Sequence, residues 1–250
     1  MSALPLPTRR DESWRYGDLD ALARVWPVDA AERIVVSAGE TFSRIIVQDA
    51  ASSEVAIRHI EITIGRDATA IVHILNTGGD YGRIAVDVTL EEGAHFELGG
   101  AILGSGTQTL EIVTTVNHAH PNATSNQIVR SVLAGRATGS YLGKVMVARD
   151  AQKTDAGQSV KAMLLDRTAT ANAKPELEIY ADDVKCAHGA TVGELDKQAL
   201  FYLASRGLPP PQAKALMLQA FIAGAFAKIA DDAERERVET AAIAALEKLL

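Results

Sequence analysis

A thiol and an imidazole stand two residues apart in the last third of the sequence, at Cys186 and His188 in Lys185-Cys186-Ala187-His188-Gly189. In an extended strand, side chains at i and i+2 point to the same face, so these two groups would lie side by side. Cysteine sulfur and imidazole nitrogen are both metal ligands, and the pair can equally serve as nucleophile and base. Two ligands are too few for a closed metal site, so the remaining ligands would have to come from elsewhere, for instance from a second chain. The alternative is a buried structural cysteine beside a surface histidine.

A second pair with the same spacing lies at His118 and His120, in Asn117-His118-Ala119-His120-Pro121. If this segment is extended, the two imidazoles share one face of a strand. No acidic residue or cysteine stands nearby in the sequence to complete a site, so the pattern favours polar residues at a strand end. The sequence leaves the role of this pair open.

The glycine-rich segments lack the features of a nucleotide site. Neither Gly99-Gly100 nor Gly104-Ser105-Gly106 is followed by Lys-Ser or Lys-Thr, and no helical pattern begins after them. A phosphate-binding loop is therefore excluded. The second segment also lacks the Gly-x-Ser-x-Gly spacing of hydrolase nucleophiles. Because no cluster of acids or bases indicates a catalytic centre either, we predict that the chain is not an enzyme.

Composition restricts the possible partners and location. The chain has 250 residues and a net charge of −7, which argues against a general nucleic-acid binder. A single cysteine excludes an internal disulfide and a cysteine-rich zinc site, and it fits a reducing compartment. The N-terminus shows no signal-peptide pattern, and no apolar run reaches the roughly 18 residues of a membrane helix. These features predict a cytoplasmic protein without nucleic-acid or membrane partners.

The elements that must position Cys186 and His188 lie in residues 31–192, between a polar N-terminal segment (1–30) and a C-terminal region (193–250). This middle region consists of short apolar runs that often alternate with polar residues, as in Ile60-Glu61-Ile62-Thr63-Ile64. Such alternation predicts half-buried strands. No helical pattern between the runs is long enough for a βαβ crossover. The region is therefore mainly β, and a doubly wound sheet is excluded.

An alanine followed by threonine or histidine recurs at turn-like positions of this region, which predicts similar corners visited many times. The spacing is irregular, so the pattern indicates either a sandwich or barrel of about a dozen strands or a β-solenoid with irregular coils. The segments are Asp67-Ala68-Thr69, Gly93-Ala94-His95, Asn122-Ala123-Thr124, Arg136-Ala137-Thr138, Thr168-Ala169-Thr170 and Gly189-Ala190-Thr191.

Residues 193–250 are predicted to be helical. One helix opens at Gly193-Glu194-Leu195-Asp196 and ends at Ser205-Arg206-Gly207, where glycine supplies a left-handed cap. Pro209-Pro210-Pro211 opens the next helix. A last amphipathic stretch runs from about Asp231 to Leu250. Sparse aromatic residues and methionine gather in this unit, which favours either a cap packed on the β core or a docking surface for a partner; they are Phe201, Tyr202, Met217, Phe221 and Phe226.

Several long segments resemble the SufB/SufD family of iron–sulfur cluster assembly proteins, and within it the SufD branch. They cover the later core, the beginning of the helical region and part of the N-terminus. The segments are Pro7-Thr8-Arg9-Arg10-Asp11-Glu12-Ser13-Trp14-Arg15-Tyr16, Asp150-Ala151-Gln152-Lys153-Thr154-Asp155-Ala156, Lys174-Pro175-Glu176-Leu177-Glu178-Ile179-Tyr180-Ala181-Asp182-Asp183-Val184-Lys185-Cys186, His188-Gly189-Ala190-Thr191-Val192-Gly193, and Ala199-Leu200-Phe201-Tyr202-Leu203 with Arg206-Gly207. Family members usually carry a helical domain before the segment that begins here at Pro7, and the consequence of the short N-terminus of this sequence stays open.

The resemblance implies a right-handed parallel β-helix core with a small C-terminal α-helical domain. It also implies a non-enzymatic scaffold subunit that docks a SufC-like ABC ATPase through those helices, with Arg206 added to the candidate docking residues. Family members pair with a SufB-like paralogue through their β-helices, and clusters are thought to form near that interface. By residue match, Cys186 and His188 are the candidate cluster-interface residues. No cofactor is expected to be tightly bound by the isolated chain; iron, sulfide or an iron–sulfur cluster would be held transiently in the complex.

The residues alone are also compatible with two other hypotheses. One is a β-solenoid enzyme acting on polysaccharide or acyl substrates, which would need convergent acids or bases on exposed strands. The other is a self-associating β-helix in which Cys186 belongs to the core. The sequence does not decide between a homodimer and a heterodimer.

Overall fold

The computed structural model describes residues 5–50 and 54–250, so the first four residues of the predicted N-terminal segment lie outside it. Within the described residues, twelve strands form two six-stranded sheets. In sheet 1 the strands lie in the order β1 (Glu32–Val36), β3 (Val55–Ile64), β5 (Tyr81–Leu90), β7 (Thr109–His118), β9 (Thr138–Val147) and β11 (Thr170–Ile179). In sheet 2 they lie in the order β2 (Thr41–Gln48), β4 (Thr69–Asn76), β6 (His95–Gly104), β8 (Thr124–Leu133), β10 (Asp155–Leu164) and β12 (Lys185–Gly193).

Every pairing in both sheets is parallel, and each strand pairs with the strand one coil away. Val55 lies opposite Tyr81, and Thr138 lies opposite Thr170, so the chain returns to the same sheet after 26 to 32 residues. This is a parallel β-helix of about five turns, which confirms the implied fold and excludes the sandwich and the barrel. The variable coil length is the reason why the sequence shows no clean repeat.

The space between the two sheets is filled by stacked aliphatic side chains. In β5, Ile84, Val86, Val88 and Leu90 are buried in this interior. The residues between them face outward. The same alternation in the other strands builds one continuous core, because side chains at equivalent positions of successive coils lie directly above one another.

Most of the repeated alanine segments form the corners of the coils. A left-handed residue stands two positions before each of β2, β4, β6, β8 and β10, with φ between 55° and 71°. Glycine, asparagine and aspartate tolerate this conformation best, and four of the five positions carry one of them. The positions are Gly39, Asp67, Gly93, Asn122 and Lys153.

Alanine after these corners is buried because a larger side chain would meet the neighbouring coil. Ala68, Ala94 and Ala123 are at most 1% exposed. The prediction was wrong for Gly189-Ala190-Thr191, which lies inside β12 and is exposed. The local sequence there is similar to that of a corner, but the segment pairs with Ser159, Val160 and Lys161 of β10.

The C-terminal region forms the helices α2 (Lys197–Ser205), α3 (Pro210–Ala223) and α4 (Asp232–Glu247), close to the predicted boundaries. The side chain of Asp196 caps α2 by accepting from the backbone N–H groups of Gln198 and Ala199. Gly207 follows α2 with φ 86°, as the left-handed cap requires.

Helices α3 and α4 pack on the outer face of sheet 2. Leu218 and Ile222 of α3, with Val238 and Leu246 of α4, join residues of β4, β6 and β8 in a second core cluster. The connection between the helices approaches β6 closely, because a Cβ on Gly99 would lie 1.8 Å from the carbonyl oxygen of Ala225. Glycine at this position therefore lets the helical unit rest on the β-helix.

The N-terminal segment, with a 3-10 helix at Glu12–Trp14 and α1 (Leu19–Ala23), crosses the outer face of sheet 1. Its anchor is a buried ion pair, in which the Arg83 guanidinium lies 3.0 Å from a carboxylate oxygen of Glu111. The Tyr81 hydroxyl donates to the same oxygen at 2.6 Å, and the Trp14 ring covers the guanidinium at 3.9 Å.

Candidate functional site

The last coil leaves one end of the β-helix open within the described residues. β11 and β12 are the terminal strands of their sheets, and each pairs on one side only. The side chains of β12 are mostly exposed, including Val192 at 50%, and those of β11 are mostly half-buried. Two adjacent free strand edges present unpaired backbone groups and an uncovered apolar interior, which is the type of surface that pairs with another chain.

Cys186 and His188 lie on this terminal coil. In the register of β10 and β12, Cys186 lies opposite Ala156 and His188 opposite Gln158, both of which are buried in the interior. Cys186 and His188 therefore share the face of β12 that continues the interior column. Cys186 is half-buried against the core cluster, whereas His188 is exposed. Packing against the core thus holds the Cys186 thiol in place, whereas the His188 imidazole is exposed at the open end of the β-helix.

The Cys186 thiol is kept protonated by its surroundings. Burial raises its pKa above the usual value, and the nearby Asp155 carboxylate raises it further, against a hydrogen bond to the Ala156 backbone that lowers it. Since the thiolate is the nucleophile and the metal ligand, the thiol becomes reactive when a metal ion or a cationic group arrives beside it. The isolated chain therefore presents Cys186 as a weak nucleophile.

A group of polar side chains lies inside the β-helix, in the coils next to this site. The Tyr141 hydroxyl is the centre of the group: it donates to Gln127 at 2.9 Å, lies 3.0 Å from the Thr114 hydroxyl and accepts from Gln158 at 3.3 Å. Gln127 and Gln158 occupy equivalent positions of successive coils, and His188 is next in the same column. Sequence reasoning missed this column, because it becomes visible only when the coil length is known.

The pair formed by His118 and His120 does not exist as a shared site. His118 ends β7 and is fully buried, with Nε2 at 2.9 Å from the Ser125 hydroxyl. His120 lies beyond the strand and bridges to Glu91 on the surface at 3.0 Å. The assumption of a shared strand face was wrong, because the strand stops at His118 and the chain turns.

The candidate docking residues separate into three environments. Phe201 and Tyr202 of α2 are 76% and 56% exposed, and the exposed Arg206 guanidinium stacks 5.3 Å from the Tyr202 ring. Met217 and Phe221 are half-buried. Phe226 is fully buried beside His73, so it belongs to the cap on the β core and is not available for docking. No residue of α2 is buried, which makes this helix the most exposed element of the unit.

Helices α3 and α4 frame an apolar groove next to these residues. It encloses about 290 Å³ and is lined by Leu216, Ala220, Ala223 and Ile243, with Gln219 and Glu239 among the polar residues at its edge. Leu216 is half-exposed there. The outer surface of the helical unit therefore combines exposed aromatic rings with an apolar depression, as docking surfaces do.

The described residues contain neither a membrane-spanning helix nor a cluster of metal-binding side chains. No helix among residues 5–50 and 54–250 is long and apolar enough to cross a lipid bilayer. In the same residues, no three or more His, Cys, Asp or Glu side chains lie close enough together to hold a metal ion. The candidate ligands Cys186 and His188 therefore have no third candidate beside them in the described part of this chain.

The sequence matches the family model described as the SUF system FeS cluster assembly SufBD core domain over residues 28–221. It is 30% identical over 181 residues to the iron–sulfur cluster assembly protein SufD of Escherichia coli, covering 72% of this chain and 43% of that protein. It is 36% identical over 173 residues to the chloroplastic protein ABCI7 of Arabidopsis thaliana (66% of this chain, 36% of that protein). It is 32% identical over 218 residues to the SufBD family protein Rv1462 of Mycobacterium tuberculosis (84% and 55%).

The chain spans about a third to just over half of the length of these relatives. The match nevertheless covers most of the β-helix and reaches into α3, so it includes the terminal coil and the exposed face of α2. On this evidence, the chain belongs to the SufBD family of iron–sulfur cluster assembly proteins.

Proposed function

We propose that the chain is a non-enzymatic scaffold subunit of a Suf iron–sulfur cluster assembly complex, in which it pairs with a SufB-like paralogue and docks a SufC-like ABC ATPase. The observation that carries this proposal is the position of Cys186 and His188 on the uncovered terminal coil. A cysteine and a histidine on a free strand edge can share a ligand set with a second chain.

The two free edges of the terminal coil support the proposal that a partner pairs there. A second β-helix placed end to end would cover the uncovered interior and satisfy the unpaired backbone groups of β11 and β12. The proposed partner is the paralogue, and a second copy of this chain is the alternative occupant. Either arrangement brings the partner's side chains next to Cys186 and His188.

The cargo of this interface would be iron, sulfide or a nascent cluster, held transiently. Thiolate and imidazole are suitable ligands for iron, and two of them from one chain leave the remaining positions to the partner. The raised pKa of the Cys186 thiol fits a site that becomes competent only when the partner or the metal is present. Opening and closing of the interface would then control access to the cargo.

The ATPase would bind the outer face of the helical unit. Phe201, Tyr202 and Arg206 supply exposed rings and a cation on α2, and the groove between α3 and α4 lies in the same unit. Aromatic side chains and arginine are the residue types that contribute most to protein interfaces. The absence of a phosphate-binding loop in the sequence requires a separate ATPase if the complex uses ATP.

Replacing His188 with alanine tests the proposed cluster role. We expect cluster maturation by the assembled complex to fall by about tenfold or more, because one ligand of the cargo is lost. Assembly should be unchanged, because His188 makes no hydrogen bond or ion pair in the structure and its side chain is exposed. Maturation is measured by transfer of iron and sulfide to an apo-ferredoxin, and assembly by co-purification of the three subunits.

The control is Thr41→Ala, which removes an exposed polar side chain from β2, near the opposite end of the β-helix. It should leave both readouts unchanged. Full maturation by the His188→Ala complex would remove His188 from the mechanism and return Cys186 to the alternative of a structural core cysteine.

A further inference from the structure

Two cations lie side by side on the outer face of sheet 2, where the helical unit ends. Arg130 of β8 and Lys161 of β10 are register partners on neighbouring strands, followed on β12 by Thr191. No acidic residue lies opposite either cation in the register of β6, β8, β10 and β12.

Arg130 is half-buried without an acidic partner. Its guanidinium donates to the backbone oxygens of Val129 and Ser159 at 2.9 Å, and the Ser159 hydroxyl lies at 3.4 Å. No carboxylate of the described residues lies within 4.0 Å of Arg130 or Lys161. Burial lowers the pKa of Arg130 below its usual value, with no compensating contribution from an acid.

The burial of Arg130 sets it apart from the other strand cations that lack an ion pair. Several strand cations are paired across neighbouring coils: Arg33 with Glu61 at 2.9 Å, Arg83 with Glu111 at 3.0 Å, and Lys144 with Glu178. Arg58 and Lys185 have no carboxylate within 4.0 Å among the described residues, but both are exposed to solvent. Arg130 is half-buried and still has no acidic partner, in a chain with a net charge of −7.

Uncharged side chains flank the two cations on β8, β10 and β12, and the end of α3 lies next to Arg130 at Gly224. The neighbouring outward positions on β8, β10 and β12 carry small or neutral residues: Asn126, Ile128, Gly157, Ser159, Ala187 and Gly189. An open depression of about 450 Å³ extends from Ser159 and Lys161 to Gly189 and Thr191. Short side chains here allow another polypeptide to approach the sheet closely.

We propose that Arg130 and Lys161 form a carboxylate-binding patch, which receives acidic side chains of the paralogous chain that pairs along β12. This inference rests on the proposed pairing and names a second contact of the same interface. The patch lies next to that edge, since Lys161 is on β10, the strand that pairs with β12. Carboxylates from a partner would supply the acidic groups that the two cations lack among the described residues.

The geometry favours a partner's carboxylates over a free phosphate. Phosphate sites in proteins usually present converging backbone N–H groups at a helix N-terminus or a glycine-rich loop. Here β8 and β10 lie inside the sheet, where the ladders on both sides occupy their backbone groups. Two side chains on a flat face suit carboxylates that a docked chain holds in place.

The test measures association of the full chain with its co-purified SufB-like paralogue by surface plasmon resonance. We expect the double variant Arg130→Gln/Lys161→Gln to associate about threefold to tenfold more slowly at an ionic strength of about 0.1 M, where the Debye length is about 10 Å. The difference should nearly disappear at about 1 M, where that length is about 3 Å. Lys161→Arg should behave as the wild type.

The control is Arg33→Gln/Arg66→Gln, which removes the same amount of charge near the opposite end of the β-helix, where both cations are paired. Its association rate should change little. Equal rates for the patch variant and the wild type would overturn the carboxylate patch while the pairing stands. If the wild type does not bind the paralogue at all, the proposed pairing fails and the patch with it.

A titration with inorganic phosphate separates the two sources of anion. We expect no saturable change in the amide resonances of Ser159 and Lys161 at millimolar phosphate. A saturable change that the double variant abolishes would replace the docking contact with a site for a free anion, and would overturn the proposal.

Discussion

Replacing Arg83 with alanine should lower the free energy of unfolding by about 3–5 kcal/mol, the usual cost of removing one partner from a buried ion pair. Arg83 and Glu111 are 3% and 0% exposed, so the substitution leaves a carboxylate buried beneath the N-terminal segment with the Tyr81 hydroxyl as its remaining partner. The Trp14 ring also loses the guanidinium beneath it. Urea denaturation followed by circular dichroism measures the change.

The matched control is Arg33→Ala, which breaks the exposed pair with Glu61. An exposed pair contributes about 1 kcal/mol or less, so this variant should remain close to the wild type. The double variant Arg83→Met/Glu111→Leu should recover much of the loss, because apolar side chains fill the site without a buried charge. A loss for Arg83→Ala as small as for the control would show that the N-terminal segment does not depend on this anchor.

Acidification should destabilise the folded chain between about pH 6.5 and pH 4 through His73 and His118. Burial lowers the pKa of each imidazole from 6.5 to about 4, in His73 against the nearby Glu97 and in His118 against a backbone hydrogen bond at Ala123. Between these pH values, His73 and His118 therefore bind protons in the unfolded chain but not in the folded chain. The stabilisation is complete above pH 6.5 and is lost as the pH falls towards 4, by roughly 3 kcal/mol for each histidine.

The measurement is the free energy of unfolding in urea at several pH values between 7 and 4.5. His73→Leu should flatten the dependence on pH. It should also raise stability at pH 7, because both ring nitrogens of His73 are buried and have no hydrogen-bond partner among the described residues. The same slope in His73→Leu and in the wild type would contradict this account of His73.

The sequence predicted the elements that depend on local patterns. Alternating runs such as Ile60–Ile64 became strands, and the cap residues Asp196 and Gly207 lie at the ends of α2 as their types require. The resemblance supplied the β-helix, which periodicity could not, because the coil varies between 26 and 32 residues. The register that places Gln158 beside His188 is therefore hidden in the sequence.

The sequence also could not predict which of the candidate docking residues are exposed. Phe201 and Phe226 have the same side chain in one short helical region, yet one is 76% exposed and the other is fully buried. Phe226 is buried because the connection after α3 rests on β6. This contact depends on Gly99, which lies more than a hundred residues earlier in the sequence. Likewise, the sequence does not indicate that Arg83 and Glu111 form an ion pair, because their contact depends on the coil length.

The central claim is that this chain is a scaffold that holds a paralogue at its terminal coil and an ATPase on its helical unit. Removing residues 194–250 would expose the apolar cluster on sheet 2, so surface substitutions are the cleaner test. We would co-express the tagged full chain with SufB-like and SufC-like proteins of the same organism and compare it with Phe201→Ala/Tyr202→Ala. Val35→Ala, which trims an exposed apolar side chain near the opposite end, is the control. The account predicts that the wild type and the control recover both partners, and that the double variant loses the ATPase alone. Recovery of neither partner by the wild type, or full retention of the ATPase by the double variant, would contradict it.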